Sequence, residues 1–339
     1  MNVSTEKQLP EFHMFVGLPA SSKSTAAQRL AQTNGGIVIS SDEIRFNEGI
    51  TDNTDVFDLM RIRTKEALRA GKTVYYDATN MSRKRRIALL EELKNIPCDK
   101  ICHLMVVPVH ICKQRNALRE GVRCVPDDVY DRMLRSFNPP FYTEGWDTIL
   151  LDNGGFNYLG QYPSWVMQIS REDLDIPQDN SHHDLSLLEH MDQTAVLMNR
   201  MHSEGLPLWP VSRAEIIEVA QFHDIGKYFT KDFHNYKGEP SSEAHYYGHE
   251  NYGAYLFLLM KFCESENSNL EGPNNPPFFK ILYQATVLSL HMRPYLSWKD
   301  NPKNKEKDIR LFGPDIISDV DMLHECDLRA HSKHNDISL

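Results

Sequence analysis

The sequence predicts two folds in succession: an α/β domain with a parallel sheet, flanking helices and a helical lid, then an all-α domain. Three observations carry this. Over the first 150 residues, short apolar runs alternate with helix-length amphipathic stretches, the pattern of β-α units around a parallel sheet. After residue 180 the apolar spacing is helical. Between the two lies a stretch rich in Gly, Pro and Asn. A chain of 339 residues also has ample length for two cores. The expected division is 1–155 for the first domain, 156–178 for a linker and 179–339 for the second.

Taken in order, FHMFVG, GIVISS, TVYYDA and ICHLMVVPV read as the four strands. DNGGFNYLGQYPSW and DLDIPQDNSHH read as linker. LLEHMDQTAVLMNRM, AEIIEVAQFHDIG, ENYGAYLFLLMKF and KILYQATVLSLH then read as helices. Two polar segments, ESENSNLEGPNNPP and WKDNPKNKEKD, read as exposed loops between helices. No internal repeat is visible.

The chain is 41% hydrophobic and 25% charged, a composition that can bury a core. There is no apolar run of eighteen residues and no secretory pattern at the start, so the expected location is the cytoplasm, without a membrane partner. Six cysteines (Cys98, Cys102, Cys112, Cys124, Cys263, Cys326) lack C-x-x-C or zinc-ribbon spacing and read as ordinary thiols. Net charge is −10, which alone disfavours a nucleic-acid partner. Its distribution matters more: residues 1–150 hold 21 Lys and Arg against 19 Asp and Glu, whereas the remainder holds 16 against 28. The acidity belongs to the second half, where it suits metal binding or a plain solvated surface.

After the first strand comes Gly17-Leu-Pro-Ala-Ser-Ser22-Lys23-Ser24-Thr25 and then an amphipathic stretch. The Walker A pattern needs a loop whose amides wrap phosphates, a Lys for the β and γ oxygens, and a hydroxyl for Mg²⁺. Gly17, Lys23 and Ser24 stand in those places, while Ser22 replaces a glycine and position 20 is Ala. The second strand ends in Ser-Ser-Asp42-Glu-Ile-Arg45, at the strand end where open α/β sheets bind ligands. Asp42 there is either a base for an attacking hydroxyl or a helix cap. The third strand ends in Asp77, suited to Mg²⁺ or its waters, followed by Arg83-Lys84-Arg85-Arg86. This run is either a solvated helix face or a guide for an anionic acceptor, with Arg83 the residue assigned to acceptor binding. Arg115, Arg119 and Arg123 recur every four residues, placing them on one expected helix face as a clamp for the transferring phosphate.

Together, G-x-P-x-S-x-K-S-T, S-D-E-I-R, D-A-T-N and R-x-x-x-R with V-P-x-x-V, R-M and P-x-x-x-E-G resemble the P-loop polynucleotide kinases of the phage end-healing type, over about residues 11–150. The resemblance implies that Asp42 is the general base toward a nucleic-acid 5′-hydroxyl and that Arg45 contacts the acceptor. It also implies that Lys23, Ser24 and a lid arginine hold the nucleotide, as ATP with Mg²⁺. Related P-loop kinases phosphorylate small molecules with similar motifs, so the acceptor stays open.

In the second half, His223-Asp224-Ile-Gly226-Lys227 ends an amphipathic helix. Adjacent imidazole and carboxylate can meet one divalent cation, and the Lys can orient a phosphate. His190, His245, His249, His291 and Asp327 are further donors, with His245 and His249 spaced i, i+4 as if on one helix face. The H…HD…D order resembles the HD phosphohydrolase superfamily over about residues 182–332. That resemblance implies His190, His223, Asp224 and Asp327 as ligands of a first metal, and His245, His249 and His291 as completing a second site. Asp321 is the rival for the closing carboxylate. Lys227 and Arg293 are assigned to phosphate. His182, His183, His202, His324 and His331 read as structural. One or two of Mn, Fe, Co, Ni or Zn suit such mixed donors better than Mg alone.

A kinase joined to a phosphoesterase acting on 2′,3′-cyclic or terminal phosphates suits repair of nucleic-acid ends, RNA ahead of DNA, and resembles bacterial end-healing proteins with the module order reversed. A small-molecule kinase fused to a nucleotidase, and a nucleotide-sensing protein with a weakened P-loop, are the alternatives. Oligomeric state is not legible.

Overall fold

The structure, a computed structural model, describes residues 9–181, 184–201, 211–268 and 277–330. It divides into two compact units. The first comprises the described residues through Val107, Ile111–Val125 and Tyr142–Asn157. The second comprises Pro108–His110, Pro126–Phe141 and the described residues from Tyr158 onward.

The first unit is an α/β sheet domain. In chain order it contains β1 (Glu11–Val16), α1 (Lys23–Asn34), β2 (Ile37–Ser40), α2 (Ser41–Asn47), α3 (Asn53–Arg69), β3 (Val74–Asp77), α4 (Arg83–Leu93), β4 (Asp99–Met105), most of α5 (Val109–Ala117) and β5 (Thr148–Asp152). All five strands are parallel, in the order β2-β3-β1-β4-β5. Central strands β1 and β3 are apolar and almost wholly buried, as strands covered on both faces must be. The register sets Phe15 beside Asp77 and Ser40 beside Asp77, so β1, β2 and β3 end at one level. The loop after β1 and the carboxylate of β3 therefore share the carboxyl edge of the sheet. The fifth strand, TILLD, went unread in the sequence. Within the sheet, His13 Nδ1 and His103 Nε2 lie 2.9 Å apart, and His103 is pushed down to about 4 by burial and by His13.

The second unit contains α6 (Asp127–Arg135), α7 (Pro163–Met167), α8 (Leu187–Met201), α9 (Arg213–Phe222), α10 (Lys227–Thr230), the antiparallel strands β6 (Asp232–His234) and β7 (Pro240–His245), α11 (His249–Asn267), α12 (Pro277–Leu290), α13 (Pro302–Phe312) and α14 (Pro314–Arg329). The core helix α11 is buried over most of its length. Residues 126–141, read as part of the first domain and its lid, fall here for a local reason. Arg135 donates to the Tyr247 carbonyl at 2.8 Å, and Asn251 donates to the Arg135 carbonyl at 2.9 Å. From Tyr158 onward the expected linker likewise belongs to this unit: Tyr158 and Leu174 are buried, and the Tyr158 carbonyl accepts from Asn267. The β6–β7 hairpin is a strand pair in a half read as helical. No helix among the described residues is long and apolar enough to cross a membrane. His182, His183, His202, His331 and part of the polar segment after α11 lie outside the described residues.

Candidate active sites

In the first unit the site grows from the loop between β1 and α1. Ala20 and Ser22 both adopt left-handed backbone, with φ of 59° and 72°. A side chain there costs on the order of 1 kcal/mol, and that cost is the physical content of the missing glycine. Arg115 steadies the arrangement by donating to Ser22 Oγ at 3.1 Å and to the Gly154 carbonyl at 3.0 Å. Gly154 itself is required, because a Cβ there would sit 2.5 Å from the Ser21 carbonyl oxygen. The DNGG segment read as linker is thus a wall of this loop. Helix α1 starts at Lys23 without a side-chain cap, so its first amides remain directed at the loop, the arrangement that receives phosphate. Lys23 is buried and donates to the Leu18 carbonyl at 2.5 Å. Burial lowers its pKa, opposed chiefly by Asp77.

Ser24, Ser40, Asp42, Asp77, Arg119 and Arg123 line one cleft of about 620 Å³. Asp77 is buried and accepts from Ser40 Oγ at 3.1 Å. Ser40 occupies the cap position of α2, so Asp42, in the first turn and largely exposed, remains available to a ligand. Arg45 lies 3.5 Å from Asp42 and donates to Asn53 Oδ1 at 2.7 Å. Arg123 packs over the Phe46 ring, 5.0 Å from its centroid. Thr25 is exposed on α1.

Two expectations are corrected. The three arginines do not share a helix face, because α5 ends at Ala117, where Asn116 turns the chain by bonding both backbone groups of Val125. Arg119 and Arg123 still reach the cleft, whereas Arg115 braces the loop. Arg83 is not presented to an acceptor: it is buried and directed at Glu144 Oε1, 3.3 Å away. Arg86 joins it on the same carboxylate at 2.7 and 2.8 Å. Of the basic run, only Lys84 and Arg85 are exposed.

In the second unit, donor atoms of His190, His223, Asp224 and Asp327 gather in one group, and those of Asp224, His249 and His291 in another. Asp224 is common to both. Its Oδ2 lies 3.3 Å from His190 Nε2 and 3.4 Å from His223 Nε2, and its Oδ1 lies 3.0 Å from His249 Nε2 and 3.5 Å from His291 Nε2. Asp327 Oδ1 approaches His190 at 3.0 Å and His223 at 3.6 Å. Every one of these imidazoles turns Nδ1 to a backbone carbonyl: Ala330 for His190, Ala220 for His223, Tyr246 for His249 and Leu288 for His291. A neutral ring so held keeps its proton on Nδ1 and offers the Nε2 lone pair inward, as a metal ligand must. His223 Nε2 is buried without a hydrogen-bond partner. A nitrogen of that kind fits a cation, and the N/O donor set fits a divalent transition metal.

A proton competes with a cation for the same nitrogens. Burial works against a charged His223, but Asp224 and Asp327 together outweigh it and carry the pKa to about 10. Burial alone would raise Asp224, yet Lys227 and His223 hold it well below the ordinary carboxylate range. Lys227 Nζ sits 2.7 Å from Asp224 Oδ2 and 2.9 Å from Gln178 Oε1. Gln178, from the expected linker, went unsuspected because only tertiary folding brings it here. Gly226 is needed for the approach of α10 to α11, since a Cβ would collide with the His249 carbonyl.

His245 is corrected: it ends β7, enters neither donor group, and its ring stacks on Tyr247. Helix α11 begins only at His249, because Gly248 takes φ 76° and breaks the continuity that i, i+4 spacing assumes. Arg293 is corrected as a phosphate ligand, being bound to Asp308 at 2.8 and 3.0 Å. Asp321 pairs with Lys305 at 2.6 Å, away from the donor groups. His324, half-buried on α14, joins neither.

Comparison with known proteins bears on the first unit. A family model described as an AAA domain matches residues 12–140. The structure is similar to that of a candidate kinase from Chloroflexus aurantiacus, with 18% identity, a TM-score of 0.37, and coverage of 43% of this chain and 85% of the other. No curated protein sequence matches the chain. Residues 12–140 thus resemble an AAA domain, and within them the Lys23 loop at the carboxyl edge of a parallel sheet has the form of a nucleotide-binding P-loop.

Proposed function

We propose that the chain is a bifunctional enzyme of nucleic-acid end repair, in which the first unit transfers phosphate from ATP to a 5′-hydroxyl and the second is a metal-dependent phosphoesterase of the HD type. The observation that carries the second assignment is the shared Asp224 carboxylate, with imidazole nitrogens about both of its oxygens. A divalent cation bound there would supply charge neutralisation at the phosphate and a more acidic water. The chain's own part is to fix the four imidazoles and to hold the Lys227 ammonium at the edge of the site for a phosphate oxygen. On the kinase side, Lys23 and the α1 amides would hold the nucleotide phosphates, Asp77 and Ser24 would hold Mg²⁺ or its waters, and Arg119 and Arg123, which line the same cleft, would offset the charge of the moving phosphoryl group. Asp42 is the candidate base.

A small-molecule acceptor is the second reading, favoured by the burial of Arg83 and Arg86 on Glu144, which removes two cations from any acceptor track. The test is to supply labelled ATP with a 5′-hydroxyl oligonucleotide or free nucleosides, and to follow loss of a 2′,3′-cyclic phosphate with Mn, Co or Ni present. Lys23→Ala and Asp42→Ala should each lower phosphate transfer at least about a hundredfold. Full transfer by Asp42→Ala would remove the base assignment, and no hydrolysis with any metal would reject the phosphoesterase.

A further inference from the structure

His245, excluded from the metal groups, is half of an aromatic pair. Its ring lies nearly parallel to that of Tyr247, with centroids 5.4 Å apart and planes 9° apart, and its Nε2 is 3.2 Å from Ser241 Oγ. Tyr247 is 45% exposed although it lies only two residues before the buried candidate ligand His249. The residue between the two rings, Tyr246, ties this pair to the metal groups in three ways. Its carbonyl accepts from His249 Nδ1 at 2.8 Å, its ring lies 5.5 Å from Lys227 Nζ, and its hydroxyl donates to the Gln178 carbonyl. The Tyr247 carbonyl is held in turn by Arg135 at 2.8 Å. An aromatic stack with an exposed Tyr247 ring is thereby fixed to the backbone that also orients a donor nitrogen.

We propose that His245 and Tyr247 are the stacking platform for the nucleobase of the nucleotide whose phosphate enters the metal site; this rests on the phosphoesterase reading above. Two features select a base over other occupants. The surrounding hairpin is not basic: along residues 231–245 Lys231 and Lys237 are outnumbered by Asp232, Glu239 and Glu243, so it cannot track a phosphate backbone. Stacking, by contrast, needs no charge and accepts any base, because every base has a π face. The platform thus fits one terminal nucleoside and not a long tract.

The experiment compares the metal-loaded full chain on adenosine 2′,3′-cyclic phosphate and on glycerol 1,2-cyclic phosphate, which has no base. A parallel calorimetric titration compares adenosine monophosphate with ribose phosphate. Wild type is expected to favour the adenosine member of each pair, and Tyr247→Ala to reduce that KM ratio and that affinity ratio roughly tenfold. His245→Ala is expected to reduce both by less, and Tyr247→Phe to restore them. Wild-type affinity no greater for adenosine monophosphate than for ribose phosphate would overturn the platform, as would ratios unchanged in Tyr247→Ala. If neither cyclic phosphate is hydrolysed, the phosphoesterase reading fails, while the change of the calorimetric ratio in Tyr247→Ala still decides whether the base is bound at this pair.

Discussion

Replacing Asp224 by Asn keeps the shape of the side chain and removes the one charge that both donor groups share. Lys227 is 7% exposed, and its Nζ then retains Gln178 Oε1 in place of a carboxylate at 2.7 Å. Breaking a buried ion pair from one side costs roughly 3–5 kcal/mol. The imidazoles relax more cheaply, since burial lowers the pKa of His190 and His223 and only the carboxylates they face raise it. In a chelator, where only protein terms contribute, Asp224→Asn should therefore lower the unfolding midpoint of the second unit by about 10 °C. Adding Lys227→Met should recover more than about half of the loss, because the stranded charge is gone. Elemental analysis after metal loading should find both variants depleted of metal. Equal stability of Asp224→Asn and wild type in chelator, or full metal content in the single variant, would refute the shared-carboxylate argument.

Three further outcomes follow from the same contacts. His249→Ala should lose metal and hydrolysis rate together while His245→Ala keeps its full metal content; elemental analysis showing the reverse would restore the helical pairing the spacing suggests. Ser22→Gly relieves a left-handed residue but forfeits the bond from Arg115, two effects of about 1 kcal/mol each, so urea unfolding should shift by less than about 1 kcal/mol while ATP turnover is kept or raised. His103 is depressed to about 4, so its contribution is full above the unfolded value near 6.5 and is lost as pH falls toward 4, worth about 3 kcal/mol. His103→Gln should lose correspondingly less stability than wild type between pH 7 and 4 in urea titrations, and parallel curves would contradict the assignment.

What could be read in advance was whatever local period or strand-loop-helix order encodes. The four strands and the main helices follow from apolar spacing, and Lys23, Asp77, His223 and Asp224 from short motifs beside them. The failures are places where a distant residue or one backbone angle decides. Arg83 and Arg86 look like a solvated face until Glu144, about sixty positions on, draws both inward. His245 and His249 have helical spacing, but one positive φ at Gly248 puts them in different elements. Arg115, Arg119 and Arg123 have the same spacing, and Asn116 ends the helix between them. Gln178 carries no motif at all and lies in a stretch whose composition signals only a connection.

The motifs that were legible share a physical cause. At a helix boundary a backbone carbonyl can take a ring N–H as a second donor beside an amide, as those of Leu288 and Tyr246 do. His223 directly follows α9 and His291 directly follows α12, and each turns Nδ1 to the carbonyl three residues back, at 2.8 and 2.7 Å. His249, the first residue of α11, does the same with Tyr246 at 2.8 Å. The backbone thereby aims Nε2 without enlisting a second side chain, and three separate helix boundaries converge on the two oxygens of one aspartate. A histidine placed at a helix boundary next to an acidic residue can thus be recognised locally. Its meeting with Asp327 and His190 cannot, because α8 and α14 must first pack together. Donor choice is therefore local and the count of donors is tertiary, so a short motif names Asp224 while leaving open which histidines surround it.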